Sequence, residues 1–149
     1  MKHKILMVCL GNICRSPLAE GILKNKVNPE DVYVDSAGTG SYHIGNAPDP
    51  RSIAVARKYG LNIEKQRCRQ FQASDFEKFD VIYVMDKSNY MNVVALARND
   101  SDTAKVKLLL EEADISEKQV PDPYYDEEDG FEQVYRMIDQ ACDAIARKL

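Results

Sequence analysis

A cysteine and an arginine, Cys9 and Arg15, lie near the start of the chain with five residues between them, and Ser16 follows directly. A thiol beside a helix N-terminus and a guanidinium ionises more readily than a free thiol, and the thiolate is the nucleophilic form. We therefore expect Cys9 to be a nucleophile. Ser16 is expected to donate a hydrogen bond to its sulfur, which makes that sulfur a better leaving group.

The residues between the cysteine and the arginine are typical of an anion-binding loop. Backbone N–H groups of a loop that wraps around a helix N-terminus point inward, and Gly11 and Asn12 tolerate the left-handed backbone of such a wrap. Arg15 adds a planar fork that binds two oxygens of one anion. The pattern predicts a phosphate site, for which the expected loop residues are Leu10, Gly11, Asn12, Ile13, Cys14 and Ser16.

Strands and helices alternate along the rest of the chain. Apolar runs predict strands at residues 4–9, 32–35, 79–85 and 106–110. Several glycines and prolines predict a loop over residues 36–50. A helix is expected around Pro17 with Ser16 as its N-cap. Further helices are expected at 50–59 with Asp49 as the cap, at 89–97 with Ser88 as the cap, and at 131–148.

This order predicts an α/β fold, a single-domain doubly wound sheet of four parallel strands with helices on both faces. The domain is expected to span residues 1–149. Ligands of such sheets bind beyond the carboxyl ends of the strands, where the strand order reverses. The loop after the first strand, which contains Cys9 and Arg15, is the expected place.

Composition excludes several classes of protein. The longest apolar run has six residues, too short for a membrane span, and no signal-peptide pattern precedes it, so a cytoplasmic location is expected. Residues 111–149 carry 12 acidic and 4 basic side chains, which argues against nucleic-acid binding. The four cysteines form no CxxC pair, so we expect no metal site, and the thiols are interpreted as free.

The chain resembles the low-molecular-weight protein tyrosine phosphatases over nearly its whole length. The resemblance rests on the loop of residues 8–17, on the segments 35–39, 45–50 and 85–89, and on Pro121-Asp122-Pro123-Tyr124. It implies that Cys9 attacks phosphorus, that Arg15 binds the phosphate and stabilises the transition state, and that Asp122 is the general acid and base. It also implies an enzyme without a metal or other cofactor.

Three tyrosines are expected to line the substrate cleft by the same resemblance, namely Tyr42, Tyr124 and Tyr125. A weaker alternative for the last two is phosphorylation by a tyrosine kinase. The expected partners are phosphotyrosine-containing proteins, with a tyrosine kinase as a further candidate. His43, next to Tyr42, is interpreted as a surface residue without a catalytic part.

The other cysteines are open to more than one interpretation. Cys14 resembles the second cysteine that, in this family, forms a reversible disulfide with the nucleophile, but packing explains it equally well. Cys68 and Cys142 are interpreted as packing residues, and Cys142 lies on the apolar face of the last predicted helix.

Three other functions compete with phosphotyrosine hydrolysis. A protein arginine phosphatase resembles the chain in its loop but has threonine where this sequence has Ile13. A thioredoxin-linked arsenate reductase needs two further cysteines close together late in the chain, whereas Cys68 and Cys142 are far apart. A phosphopeptide-binding module would need neither a nucleophile nor an acid.

Overall fold

The structure, a computed structural model, describes residues 2–124 and 128–149. Its strands are β1 (His3–Cys9), β2 (Val32–Gly38), β3 (Val81–Val84) and β4 (Val106–Leu108). Its helices are α1 (Arg15–Lys24), α2 (Pro50–Lys58), α3 (Asp75–Lys78), α4 (Lys87–Val94), α5 (Asp100–Ala104) and α6 (Glu128–Lys148).

The four strands form one parallel sheet in the order β2-β1-β3-β4. Alternate side chains of β1 enter two separate cores, because successive residues of a strand face opposite sides of the sheet. Ile5 and Met7 pack with α1, α2 and α6, whereas Leu6 and Val8 pack with α3 and α4. The predicted doubly wound α/β fold is confirmed. The strand order reverses beside β1, so the β1–α1 loop opens at the reversal.

Strand β2 continues to Gly38, three residues beyond the predicted end, into the segment predicted as a loop. It continues because β1 still offers partners there, and Cys9 pairs with Gly38. A Cβ at Gly38 would lie 2.8 Å from the carbonyl oxygen of Leu10 and 3.0 Å from the amide nitrogen of Asn12. The glycine therefore allows close contact between β2 and the β1–α1 loop.

Several predicted boundaries are wrong for local reasons. Helix α1 begins at Arg15 after Cys14, because the Ser16 side chain bonds Cys9 instead of capping the helix. Helix α4 is capped by Asp86, which accepts from the Asn89 amide at 2.8 Å, and not by Ser88. The predicted cap of α2, Asp49, is confirmed.

The third and fourth strands are shorter than predicted. Residues after β4 turn into a 3-10 helix, Leu109–Glu112, although their apolar character continues. The short helices α3 and α5 were not predicted at all, because four or five residues are too few to show a helical repeat.

Candidate active site

The β1–α1 loop, residues 10–14, turns its carbonyl groups outward. Five backbone carbonyl oxygens between Cys9 and Cys14 accept hydrogen bonds from groups around the loop. The carbonyl of Cys9 accepts from Thr39 N, that of Leu10 from Gly40 N, that of Asn12 from Cys68 Sγ, that of Ile13 from Asp49 N and that of Cys14 from Ser52 Oγ. In a trans peptide the N–H points away from the C=O. The N–H groups that follow these carbonyls therefore face the inside of the loop, where they can bind an anion.

Asn12 holds the centre of this loop. It is the one non-glycine residue with positive φ, 55°, in the described part of the chain. Its side-chain amide donates to Ser16 Oγ at 2.8 Å and to Ser36 Oγ at 3.0 Å, and Ser36 in turn donates to the buried carboxylate of Glu20 at 2.6 Å. These bonds offset the cost of the left-handed backbone by fixing Asn12 from several sides.

Cys9 lies at the bottom of the loop with only 2% of its surface exposed. Its sulfur is 3.0 Å from Ser16 Oγ and accepts the Ser16 amide at 3.4 Å. Asn12 already donates to Ser16 Oγ, so the hydroxyl proton of Ser16 can go to the sulfur at 3.0 Å or to the carbonyl oxygen of Ala37 at 3.4 Å, and the sulfur is the nearer acceptor. The predicted contact between the serine and the nucleophile is present.

Arg15 is equally buried, with 2% exposed, yet it carries a charge. Its Nη1 donates to Asp86 Oδ2 at 2.6 Å and to the carbonyl of Val120 at 2.9 Å. Burial opposes the charge, but a negative Cys9 and Asp86 outweigh it and raise the pKa of Arg15. Its Nε has no hydrogen-bond partner among the described residues, and its Nη2 makes only the long ion pair with Asp122, so the Nε–Nη2 edge can bind two oxygens of an anion.

Asp122 stands at the mouth of the site. Its Oδ2 lies 3.7 Å from Nη2 of Arg15, and its Oδ1 accepts the Tyr124 amide at 3.1 Å. The carboxylate is 41% exposed and is therefore accessible to water. A carboxyl group at the entrance of the site can exchange protons with both the solvent and a leaving group.

One cavity of about 290 Å³ brings the predicted residues together. Its lining residues are Cys9, Leu10, Gly11, Ile13, Cys14, Arg15, Tyr42, His43, Asp122 and Tyr124. Asn12 and Ser16, predicted to bind substrate, do not line it, because both side chains join the network beneath the loop. Tyr125 lies outside the described residues.

The walls of the cavity are aromatic. Tyr42 and Tyr124 are 77% and 38% exposed, and His43 lies between them with ring centroids 6.5 Å from each. His43, interpreted from the sequence as a surface residue without a catalytic part, is half-buried, and its ring packs over Gly11 and lines the cavity. A half-buried imidazole between two phenol rings makes the entrance suitable for a flat ring.

The remaining cysteines are all reduced and buried. Burial, and then the negative charges of Asp49 and Cys9, raise the pKa of the Cys14 thiol. Cys142 packs in the core with α6 and α1, and burial raises its pKa too. Cys68 is more than a packing residue, because its sulfur bonds the β1–α1 loop.

Sequence reasoning assigned no role to Asp86, the main partner of Arg15, because 71 residues separate the two. Its position at the carboxyl end of a predicted strand was a usable signal, since such ends meet at one edge of a parallel sheet. No three His, Cys, Asp or Glu side chains of the described part of the chain are grouped to hold a metal ion. Nor does any helix among residues 2–124 and 128–149 have the length and apolar character to cross a membrane.

Comparisons with known proteins identify the family. A family model described as low molecular weight phosphotyrosine protein phosphatase matches residues 4–149. The chain belongs to this family. It is 44% identical to the low molecular weight phosphotyrosine protein phosphatase of Schizosaccharomyces pombe over 138 residues, which cover 89% of this chain and 87% of that protein.

Solved structures of the family agree with the fold. A protein tyrosine phosphatase from Entamoeba histolytica, with Hepes in the active site, has a TM-score of 0.93 at 36% identity, over 99% of this chain and 96% of that one. Wzb of Vibrio vulnificus in complex with benzylphosphonate has a TM-score of 0.89 at 32% identity, over 100% of both chains. The predicted family resemblance is confirmed.

Proposed function

We propose that this phosphatase hydrolyses phosphotyrosine in proteins in two displacement steps, with Cys9 as nucleophile, Arg15 as phosphate ligand and Asp122 as acid and base. One observation carries the assignment of roles. A buried sulfur, a buried arginine whose Nε has no hydrogen-bond partner among the described residues, and an exposed carboxylate 3.7 Å from Nη2 of that arginine belong to the same cavity. The cysteine mechanism is general for the family.

In the first step the Cys9 thiolate attacks phosphorus, the S–P bond forms and the bond from phosphorus to the phenolic oxygen breaks. Protonated Asp122 gives its proton to that departing oxygen. The inward N–H groups of the loop and the Nε–Nη2 edge of Arg15 stabilise the charge on the equatorial oxygens. Arg15 is held ready for this by Asp86 and Val120, so little reorganisation is needed.

In the second step water attacks phosphorus and gives a proton to Asp122, now acting as base. The S–P bond breaks, and the electron pair returns to Cys9 as a thiolate. The hydrogen bond from Ser16 stabilises that thiolate, since Ser16 Oγ lies 3.0 Å from the sulfur. Inorganic phosphate leaves and the enzyme is restored.

The choice of phosphotyrosine rests on the depth and the walls of the cavity. A phenyl ring is long enough to carry phosphorus past Tyr42 and Tyr124 to a sulfur that is 2% exposed, whereas a serine stem is shorter. The benzylphosphonate complex of the Vibrio relative, an aromatic ring with a phosphonate, supports the same ligand class. Tyr125, which lies outside the described residues, is proposed as part of the wall as well.

Two further proposals concern the cellular setting. Phosphotyrosine substrates require a kinase that makes them, so we propose a tyrosine kinase as functional partner. We also propose a cytoplasmic location, because a thiol nucleophile needs a reducing compartment. We further propose that residues 1–149 form one domain.

Protein arginine phosphatase activity is the second candidate, and Ile13 separates the two. Ile13 lines the cavity, and its branched apolar side chain suits an aryl ring better than a guanidinium. If this position sets the choice, Ile13→Thr raises the turnover of phosphoarginine relative to phosphotyrosine. An unchanged ratio would place the selectivity elsewhere.

A peptide panel with phosphotyrosine, phosphoserine and phosphoarginine tests the proposed function. We expect phosphotyrosine to be cleaved far faster than phosphoserine, and Cys9→Ser to abolish turnover, since a serine hydroxyl is not ionised near neutral pH. Cys142→Ser, at a buried thiol remote from the cavity, is the matched control and keeps the activity. Equal rates on phosphotyrosine and phosphoserine would contradict the proposal.

A further inference from the structure

Cys68, between α2 and α3, makes a contact that packing alone does not require. Its thiol is 5% exposed and donates to the carbonyl oxygen of Asn12 at 2.8 Å. Asn12 is the residue with left-handed backbone at the centre of the β1–α1 loop. Of the five outward carbonyls, the one of Asn12 accepts its hydrogen bond from a thiol, whereas the other four accept theirs from amides or a hydroxyl.

This hydrogen bond controls the direction of one anion-binding group. The peptide between Asn12 and Ile13 is planar and trans, so its C=O and N–H point in opposite directions. While Cys68 holds the carbonyl outward, the N–H of Ile13 faces the inside of the loop. Without that donor, the buried carbonyl of Asn12 has lost its partner, and the peptide loses one of the contacts that fix its direction.

The backbone of Cys68 is tied to a second wall of the cavity. Its amide donates to the Asn46 carbonyl at 2.8 Å, and its own carbonyl accepts the Gly45 amide at 2.8 Å. Gly45 and Asn46 lie two and three residues after His43, which lines the cavity together with Tyr42. One residue therefore joins the anion loop to the aromatic wall.

The chemistry of the thiol suits a donor rather than a second nucleophile. Burial, and then the negative charge of Cys9, raise the pKa of Cys68 to about 11. The group is therefore protonated near neutral pH and has a hydrogen to donate. A thiolate is needed for attack on an oxidised sulfur or a phosphorus, and Cys68 is not one under these conditions.

We propose that Cys68 is a positioning residue for phosphoryl transfer, which holds the Asn12–Ile13 peptide so that the Ile13 N–H points at the phosphate. The inference rests on the proposed function of the loop as the phosphate site. It adds a residue to which neither the sequence pattern nor the mechanism above gives a part.

The first test compares Cys68→Ala with Cys142→Ala, which also removes a buried thiol but from the α6 core. We expect Cys68→Ala to lower kcat/KM for a phosphotyrosine peptide by about 10-fold, less than the 10²–10³ that loss of a whole oxyanion donor costs. The inhibition constant for inorganic phosphate should rise by a similar factor. Cys142→Ala should change thermal stability but neither of these two quantities.

Rescue separates the hydrogen bond from packing. Cys68→Ser keeps a donor and should restore both quantities close to wild type, while Cys68→Val fills the space without donating and should resemble Cys68→Ala. The Val variant also replaces Cys68→Ala should the latter not fold. Wild-type values in the Ala or Val variant, or no restoration by Ser, would overturn the proposal.

An NMR measurement reads the peptide directly and needs no turnover. In the wild-type protein, inorganic phosphate should shift the Ile13 amide resonance strongly, and in Cys68→Ala that shift should shrink. An equal shift in both proteins would overturn the role of Cys68. A wild-type enzyme without activity on phosphotyrosine would contradict the proposed function instead. The NMR comparison would still test the role of Cys68, because it needs only phosphate binding.

Discussion

Arg15 and Asp122, the two charged groups of the site, are held in opposite ways. Arg15 is buried and fixed by two hydrogen bonds from Nη1, whereas Asp122 is 41% exposed and is held by the Tyr124 amide and by a long ion pair with Arg15. A group that binds the same anion throughout benefits from being fixed in advance. A group that must exchange its proton with water between steps benefits from exposure.

The role of Asp122 is tested with a series of aryl phosphates that differ in the acidity of the leaving phenol. Asp122→Ala should slow a poor leaving group such as phenyl phosphate by about 10²–10⁴, the range of general-acid catalysis, and an activated phosphate much less. The dependence of rate on leaving-group pKa should therefore become steep in the variant.

Asp122→Asn is the matched control for the turn. An asparagine keeps the oxygen that accepts the Tyr124 amide at 3.1 Å but has no acid proton. If Asp122 is the acid, Asn behaves like Ala. A near wild-type Asn variant, or parallel losses across the series, would assign Asp122 to the turn alone.

The two interpretations of Cys14, a reversible disulfide with Cys9 or packing alone, can be separated by experiment. Burial raises the pKa of its thiol, so it is protonated at neutral pH and does not compete with Cys9 as nucleophile. If it traps oxidised Cys9 as a disulfide, mild peroxide inactivates the wild type reversibly, and Cys14→Ser recovers less activity with added thiol because Cys9 oxidises further.

The same raised pKa sets the pH dependence of that trapping. Thiolate is the attacking form, so disulfide formation should accelerate as pH rises toward the pKa of Cys14. Intact mass measured after peroxide treatment at increasing pH follows the disulfide. Identical recovery of wild type and Cys14→Ser would leave Cys14 with packing only.

How much of the site the sequence could predict depends on the distance along the chain. Cys9, Arg15 and Ser16 share one loop, so their spacing alone predicts an anion site with a nucleophile. Asp86 and Cys68 reach the same loop only through the parallel sheet and its connections. Asp86 could have been found from its position at the end of a predicted strand, whereas the sequence around Cys68 gives no such signal. Asp122 was found through the family resemblance and not through spacing.

At the scale of elements, caps decide where helices begin near the site. Asp49 caps α2 through the Arg51 amide at 2.8 Å and also pairs with the Arg51 side chain. Its own amide holds the Ile13 carbonyl outward. The start of α2 therefore supports the β1–α1 loop as well as its own first turn.

The pH dependence of stability tests this cap. Burial opposes the charge of Asp49, but hydrogen bonds from Arg51 outweigh it and lower the pKa below its usual 3.8. A carboxylate with a lowered pKa stabilises the fold fully above pH 3.8, and this contribution is lost as pH falls through the lower folded value.

Asp49→Ala should cost about 1–2 kcal/mol of unfolding free energy near neutral pH, through the lost cap and charge. Asp49→Asn, which keeps a capping oxygen, should cost less. Urea unfolding across the acid range should show that the difference in unfolding free energy between each variant and the wild type becomes smaller below pH 3.8. A difference in unfolding free energy that does not change with pH would mean that the charge of Asp49 does not contribute to stability.

The elements themselves were predictable where a hydrophobic repeat exceeds a few residues. All four strands were found from their apolar runs, whereas α3 and α5 are too short to show a repeat. The end of β2 was missed for a different reason. Gly38 is typical of a loop by composition, and only its contact with the β1–α1 loop explains a glycine within the strand.

At the scale of the whole molecule, the anion site joins segments that are far apart in the chain. Arg15 links α1 to Asp86 after β3 and to Val120, two residues before Asp122, and Asn12 links the β1–α1 loop to Ser36 in β2. An oxyanion bound inside the β1–α1 loop therefore adds contacts to a network that spans most of the sheet. Binding to the folded state alone must stabilise that state by mass action.

Thermal unfolding with and without vanadate or phosphate measures this coupling. At a ligand concentration of about 100 times Kd the folded state gains about 2.7 kcal/mol, which corresponds to a rise in Tm of about 5–10 °C for a chain of this size. Cys9→Ser should keep the rise with phosphate, because the loop amides and Arg15 remain. Arg15→Lys keeps the charge but loses the planar fork, so its rise in Tm should be much smaller.

Chloride at equal ionic strength is the control and should have little effect on the Tm of any of the three proteins, since it cannot bind the guanidinium fork and the loop amides together. The same rise in Arg15→Lys as in wild type would show that the anion is bound elsewhere and would contradict the site as a whole.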